Sequence, residues 1–376
     1  MGLRLAFLAD GESVHTKRWL TYFVGKDYDV HLITSSSMPI KGVKIHELRF
    51  SLVRNASLRA YASFPLRVLK IWKTVKEINP DILHAHYITN YGVCGALVGF
   101  HPLVLSPWGS DITTDPESSR VKNLFIRFAL RRADLVHTAS AYTRLLELGC
   151  DPKKIFVQQW GVDTRMFSPQ ARSRSLRSSL GVDSGYLVLC ARYWEPLYNV
   201  EVFVRAVPLV LEKIKNVKFV MLGGGSLEAR LKELAYRLGV YDNIVFVGRV
   251  PEEEMPRYLA SADVYVDSYS GVRVGSSRRI VECGTSGVSQ TARQAMACGT
   301  PQILSDRPGT RLLDWFSGLL YEGLNSRVLA ERIVHLLESD KTREDIGLKS
   351  RKDALRVFDE KMLIEKWKVI YEVMLK

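Results

Sequence analysis

Residues Glu282 to Pro301 read ECGTSGVSQTARQAMACGTP, a Gly/Ser-rich turn that runs into a helix. The apolar residues Ala292, Ala295, Met296 and Ala297 recur at helical spacing, and Gly299 and Pro301 stop the helix and turn the chain into a strand, Gln302 to Leu304. A loop of this kind gathers unpaired backbone N–H groups and the positive end of the helix dipole, which together suit a phosphate or sugar oxygen. It also serves as a plain turn that packs a helix on a sheet, and the pattern alone leaves both readings open.

Around this stretch lie 376 residues, more than one hydrophobic core organises, so two domains of roughly 170 to 190 residues are expected. Apolar residues at 47% and charged residues at 25% describe an ordinary globular chain and exclude disorder. A formal net charge of +13 implies an anionic partner: nucleic acid, a phospholipid surface or a phosphorylated substrate. Composition does not choose among them. Cys94, Cys150, Cys190, Cys283 and Cys298 are scattered without a CxxC pair, and read as buried thiols in a reducing compartment, with no zinc site. The chain opens on a strand without a signal-peptide pattern, and no apolar run is long enough to span a bilayer, so a cytoplasmic location is expected.

Short β-rich runs alternate with helical ones throughout, the pattern of a parallel sheet with helices on both faces. In such sheets ligands sit beyond the carboxyl ends of the strands, so the residues after each strand carry the search. Asp10-Gly11-Glu12 follows the first strand, either as a capped turn or as a backbone approach to a ligand. Arg49 to Lys76 holds seven basic residues and no acidic one. Within it Val68, Leu69, Trp72 and Val75 form an apolar stripe beside Arg67, Lys70 and Lys73, as in a helix at a membrane interface or a domain helix with a solvated basic flank. Alternation along Ile82 to Ala85 and beyond places His84 and His86 on one side of a strand end. Asp111, in Ser106-Pro-Trp108-Gly109-Ser110-Asp111, either caps the next turn or meets a hydroxyl. Residues 168–184 are polar, basic and poor in large apolar side chains, as a linker should be. Arg192 then follows an apolar strand, placed to grip phosphate bidentately or to form an ion pair; Gly223, Gly224 and Gly225 follow another, with Ser226 as a cap.

AMACGTP after a Gly/Ser loop resembles the nucleotide-sugar signature of the GT-B retaining glycosyltransferases of group 1, family-four type, the large family that includes sucrose synthase and the phosphatidylinositol mannosyltransferases. The resemblance implies two Rossmann-like doubly wound parallel-sheet domains with a cleft between them. It sets an acceptor-side domain at 1–167, a linker at 168–184, a nucleotide-sugar domain at 185–357 and a returning helix at 358–376. It also implies metal-independent transfer from a nucleoside-diphosphate sugar as co-substrate, with no cofactor and with retention of configuration. Arg192 matches the family's diphosphate clamp, while Tyr198 or Asn199 stands where a lysine is usual. By the same likeness Gly11, the three glycines, Val250, Ser286, Gly287, Val288, Ser289, Gln290 and Gln294 fall on the donor side, and His86 on the donor sugar. Trp108 and Asp111 fall on the acceptor side.

The family carries two glutamates with seven residues between them where this chain has Ser286 and Gln294. Glu282 lies close enough in sequence to replace a lost carboxylate, and Arg273, Arg278 and Arg279 could restore the clamp's charge. Exchanging a charged for a neutral partner at Gln294 costs about 1 to 2 kcal/mol, roughly tenfold in donor affinity. The expected partners are therefore a nucleotide-sugar donor and an anionic membrane surface or lipid-linked acceptor, with a peripheral location on the membrane. An inactive protein that binds a nucleotide sugar or partner is the alternative. Nucleic acid is not expected, since no zinc finger, helix-turn-helix or RNP pattern is present.

Overall fold

The computed structural model describes residues 2–24, 28–36, 39–48, 64–139, 141–268, 272–273, 280–281, 288–306, 318–322 and 325–376. The chain divides into two compact units, one of residues 1–159, 273–284 and 364–376, the other of residues 160–272 and 285–363.

The first unit is built on seven parallel strands: Arg4–Leu8 (β1), Asp29–Thr34 (β2), Lys44–Glu47 (β3), Ile82–His86 (β4), Leu103–Ser106 (β5), Leu135–Thr138 (β6) and Ile155–Val157 (β7). They are ordered β3-β2-β1-β4-β5-β6-β7, so the order reverses between β1 and β4. Ala6 and Leu8 of β1, and Leu83 and Ala85 of β4, point to one face. There they meet buried residues of the helices Phe64–Ile78 (α2), Val93–Val98 (α3) and Arg120–Arg132 (α4). On the other face Phe7 stacks near His84 and near Phe23 of Val14–Phe23 (α1).

The second unit holds six parallel strands: Tyr186–Ala191 (β8), Val217–Leu222 (β9), Ile244–Gly248 (β10), Val264–Asp267 (β11), and, after a two-residue pair Val272–Arg273 (β12) and Ile280–Val281 (β13), Gln302–Asp306 (β14) and Leu319–Glu322 (β15). Their order is β10-β9-β8-β11-β14-β15, which reverses between β8 and β11. Alternation again splits each strand: Val188 and Cys190 join the core under Glu201–Lys213 (α5) and Ser326–Glu338 (α8), while Leu187, Leu189 and Ala191 join the core under Gln290–Ala297 (α7). Helix Glu228–Arg237 (α6) follows β9, and Asp340–Asp353 (α9) and Glu360–Met374 (α10) complete the chain. The two doubly wound parallel sheets are those expected from the alternating pattern. Among the described residues no helix is long and apolar enough to cross a membrane.

In open parallel sheets a crevice forms beyond the strand ends where the order reverses. Gly11 and His86 flank that place in the first unit; Arg192 and Asp267 flank it in the second.

Candidate active site

In the second unit four strand ends stand side by side. The Gly223 N–H bonds the Gly248 carbonyl at 2.8 Å, Arg192 N–H the Leu222 carbonyl at 3.1 Å, and Trp194 N–H the Gly224 carbonyl at 3.1 Å. The loops after β8, β9 and β10 are thereby knitted into one surface. Gly223 is required by this closeness: it has φ +137°, and a Cβ there would lie 1.9 Å from the Arg192 carbonyl oxygen. The glycines thus serve first to bring two loops together. Ser226 is not the expected helix cap, since α6 is capped by Leu227 without a side-chain bond. Instead its N–H and hydroxyl donate to Glu195 at 2.8 and 2.6 Å, which holds the Glu195 carboxyl below its usual range.

Arg192 pairs through Nε and Nη2 with Asp267, the fully buried last residue of β11. Burial alone would lower its pKa, but the Asp267 carboxylate raises it, so the guanidinium stays charged. Its Cζ lies 5.3 Å from the Tyr198 ring centroid, so the residue in the lysine position stacks on the cation instead of adding a second one. Arg249 supplies another cation: its Nε would be 3.2 Å from a Cβ on Gly224, and its Cζ is 5.7 Å from the Tyr193 ring. Val250, beside it, is partly buried against the core.

The start of α7 makes several internal bonds. Ser289 Oγ accepts the Ala292 N–H at 3.1 Å, capping α7, and Gln290 Nε2 donates to the Gly161 carbonyl at 2.9 Å. Val288 is buried, and its carbonyl accepts from Arg293 Nε and Nη2 at 3.1 and 2.8 Å. Gln294 is also buried. Glu282, Ser286, Gly287, Arg278 and Arg279 lie outside the described residues, as does the Arg273 side chain.

In the first unit the Gly11 N–H donates to Thr34 Oγ1 at 2.9 Å, a Cβ on it would lie 2.4 Å from the Ser36 carbonyl, and the helix that follows has Ser13 at its N-cap without a side-chain cap bond. Asp111 is fully buried, and its carboxylate accepts backbone N–H groups of Ile88, Trp108 and Gly109 at 2.7, 3.0 and 2.8 Å. It organises the loop and presents nothing to an acceptor. Burial pushes its pKa up to about 6, against the lowering effect of those bonds.

His84 and His86 share a face, with ring centroids 4.6 Å apart, but neither lies open. The hydrogen bonds around His84 fix every proton by deduction. The Gln158 carbonyl only accepts, so His137 Nε2 donates to it at 2.9 Å, and its Nδ1 accepts from Ser106 at 3.0 Å. Ser106 in turn accepts from His84 Nε2 at 2.7 Å, and His84 Nδ1 accepts from the Tyr371 hydroxyl at 2.8 Å. Burial lowers both pKa values, His137 to about 4, and the chain requires neutral rings. His86 lies beside this chain, enclosed by Phe7, Trp19 and Trp108 with ring centroids 5.8, 5.6 and 5.4 Å away. Neither of its ring nitrogens has a hydrogen-bond partner, and burial lowers its pKa to about 3.

Sequence reasoning missed Asp267, Glu195, Arg249 and Arg293. A carboxylate at the end of a strand next to one that ends in Arg was the available signal for the first. Among the described residues no group of three His, Cys, Asp or Glu side chains is placed to hold a metal ion.

Residues 4–140 match the family model described as glycosyl transferase 4-like, and residues 174–353 match that of the glycosyl transferases group 1. The chain is 26% identical over 238 residues to a GDP-mannose-dependent alpha-(1-6)-phosphatidylinositol monomannoside mannosyltransferase of Mycolicibacterium smegmatis, which spans 61% of this chain and only 60% of that protein. It is 22% identical to N-acetyl-alpha-D-glucosaminyl L-malate synthase of Bacillus anthracis, across 92% of this chain and 89% of the relative. Among solved structures, Anabaena Alr3699/HepE in complex with UDP and glucose superposes with a TM-score of 0.77 at 18% identity, covering 99% of this chain and 100% of the other. Sucrose-phosphate synthase from Thermosynechococcus elongatus gives 0.76 at 16%, with 99% of each chain covered.

Proposed function

Because the chain belongs to the group 1 glycosyltransferases built on the GT-B fold, we propose that it transfers a hexose from a nucleoside diphosphate to a lipid-linked or other membrane-surface glycan acceptor, with retention and without a metal. The observation that carries this reading is the convergence of Arg192, Arg249 and the glycine loop at the carboxyl edge of the second sheet. Departure of the nucleoside diphosphate places charge on phosphate oxygens. A guanidinium held rigid by Asp267, with backbone N–H groups beside it, stabilises that charge without reorganising, and fixed charges and dipoles of this kind usually supply most of the rate enhancement. The mannosyltransferase among the relatives acts on a phosphatidylinositol, and the net charge of +13 here suits an anionic surface.

A second reading, a binding protein without turnover, is favoured by Gln294 in the place of a carboxylate and by Tyr198 in the place of a lysine. A thermal-shift screen of nucleoside-diphosphate sugars, repeated with Arg192→Ala, tests the first reading. A shift in the parent that is lost in the variant is expected. No shift with any donor would sink it, and binding with neither hydrolysis nor transfer would establish the second.

A further inference from the structure

Two helices of the first unit carry an unusual solvent face. α2 buries Ile71, Val75 and Ile78, and α4 buries Ile126, Ala129 and Leu130. Val75 therefore belongs to the core, not to the interfacial stripe expected from sequence. A helix packed in this way ordinarily turns polar residues outward. Here α2 exposes Leu66 (72%), Leu69 and Trp72, and α4 exposes Leu124 (68%) and Val121. Leu66 and Leu124 are the most exposed large apolar side chains among the described residues of this unit. The two helices touch through Phe64 and Phe125, whose stacked ring centroids are 6.0 Å apart, and α3 packs against both.

Cations are interleaved with these side chains. α2 carries four basic residues and one acid, Glu77; α4 carries five basic residues and none. Three of the α4 cations are engaged within the unit, Lys122 by Asp115 at 3.3 Å, Arg127 by Asn123 at 2.7 Å and Arg132 by His101 at 3.2 Å, while Arg120 and Arg131 are exposed. At about 100° per residue, Leu124 lies within roughly 40° of Arg120 and Arg131 on the helix surface. A nucleic acid would use the cations and have no use for exposed leucines. A bilayer interface uses both, taking apolar side chains at the acyl boundary and cations at the lipid phosphates.

We propose that α2 and α4 together form a docking surface for an anionic lipid bilayer. The proposal rests on the membrane-surface acceptor suggested above, and supplies the means by which the protein reaches it. Docking is peripheral, and the second helix is as necessary as the first.

The test is sedimentation of the full chain with vesicles of equal phosphatidylglycerol and phosphatidylcholine, and with phosphatidylcholine alone. Binding to the anionic vesicles only, lost at high salt, is expected. At about 1 kcal/mol for each cation near the surface, Arg120→Ala with Arg131→Ala lowers the partition coefficient roughly 25-fold. Leu66→Ser with Leu124→Ser lowers it while leaving the salt dependence in place. All four side chains are exposed, so melting temperatures should stay near the parent's. Equal binding to neutral vesicles, unchanged binding of the α4 variant, or binding of random duplex in place of vesicles would overturn the proposal. The donor-induced thermal shift, measured on the same variants, separates the two readings. Loss of docking in the parent with the shift intact removes only this proposal, and loss of the shift in the parent removes only the transferase.

Discussion

Acidification should destabilise this protein through its buried histidines, and His86 makes the effect measurable. Its pKa is about 3 in the folded chain against 6.5 for the free side chain, because burial disfavours the charged ring. The sign follows from linkage: a proton that binds only the unfolded state removes stability as pH falls through 6.5, and goes on doing so until the folded ring titrates near 3. Between about pH 7.5 and pH 5.5 this amounts to about 1.4 kcal/mol for one ring; His137, lowered to about 4, adds about as much again, and the burial of His84 acts in the same direction. Asp111 works against it. Its pKa of about 6, above 3.8 for the free group, lets the folded state take up a proton first, returning about 1 kcal/mol over the same interval. The histidines outweigh Asp111, with His15 and His46 lowered in the same direction by burial, so the net expectation is a loss of stability on acidification. Urea titrations of the parent and of His86→Leu at both pH values isolate the single ring, since all other groups cancel in the comparison. The variant should lose about 1.4 kcal/mol less than the parent on acidification. An identical pH dependence in the two chains would refute the claim that His86 is kept neutral by burial.

Asp267→Asn removes the charge partner of a guanidinium that is itself largely buried, so a loss of about 3 to 5 kcal/mol is expected in thermal or urea unfolding. A change under about 1 kcal/mol would mean that the pair is not formed in solution. Gly223→Ala should cost about 2 kcal/mol or more, because φ +137° strains an L side chain and the Arg192 carbonyl leaves no room for a methyl group. Retention of both the parent's melting temperature and its donor-induced shift would show that the two loops are not in contact as described.

The sheets were legible because alternation and burial act locally. Each strand had its own apolar run, and the position after each strand could be named without knowing its neighbours. Partnerships across the sheet were not legible for the converse reason. Asp267 stands 75 residues from Arg192, and only the order β8-β11 makes them adjacent. Arg293 was hidden by a helix that reads as apolar on either side of it; its guanidinium is buried because the Val288 and Trp160 carbonyls receive its N–H groups, at 2.8 and 3.1 Å. The stripe on α2 was misassigned at one edge because a helix with apolar residues on both sides gives periodicity no single face to find. The bond from Tyr371 to His84 spans 287 residues and belongs to no pattern along the chain.

Charge at the carboxyl edge of the second sheet is nearly balanced. Arg192 faces Asp267, and Arg249 lies by a glycine loop whose Ser226 is held by Glu195. The two carboxylates are not equivalent. Asp267 has no exposed surface and sits at the end of a central strand, so it is fixed. Its carboxylate accepts from Nε of the guanidinium and pairs by charge with Nη2. Glu195 is only partly buried and on a loop, and it occupies the Ser226 amide, an N–H that a phosphate oxygen could otherwise use. The buried acid holds the Arg192 guanidinium, and the loop acid holds the Ser226 amide.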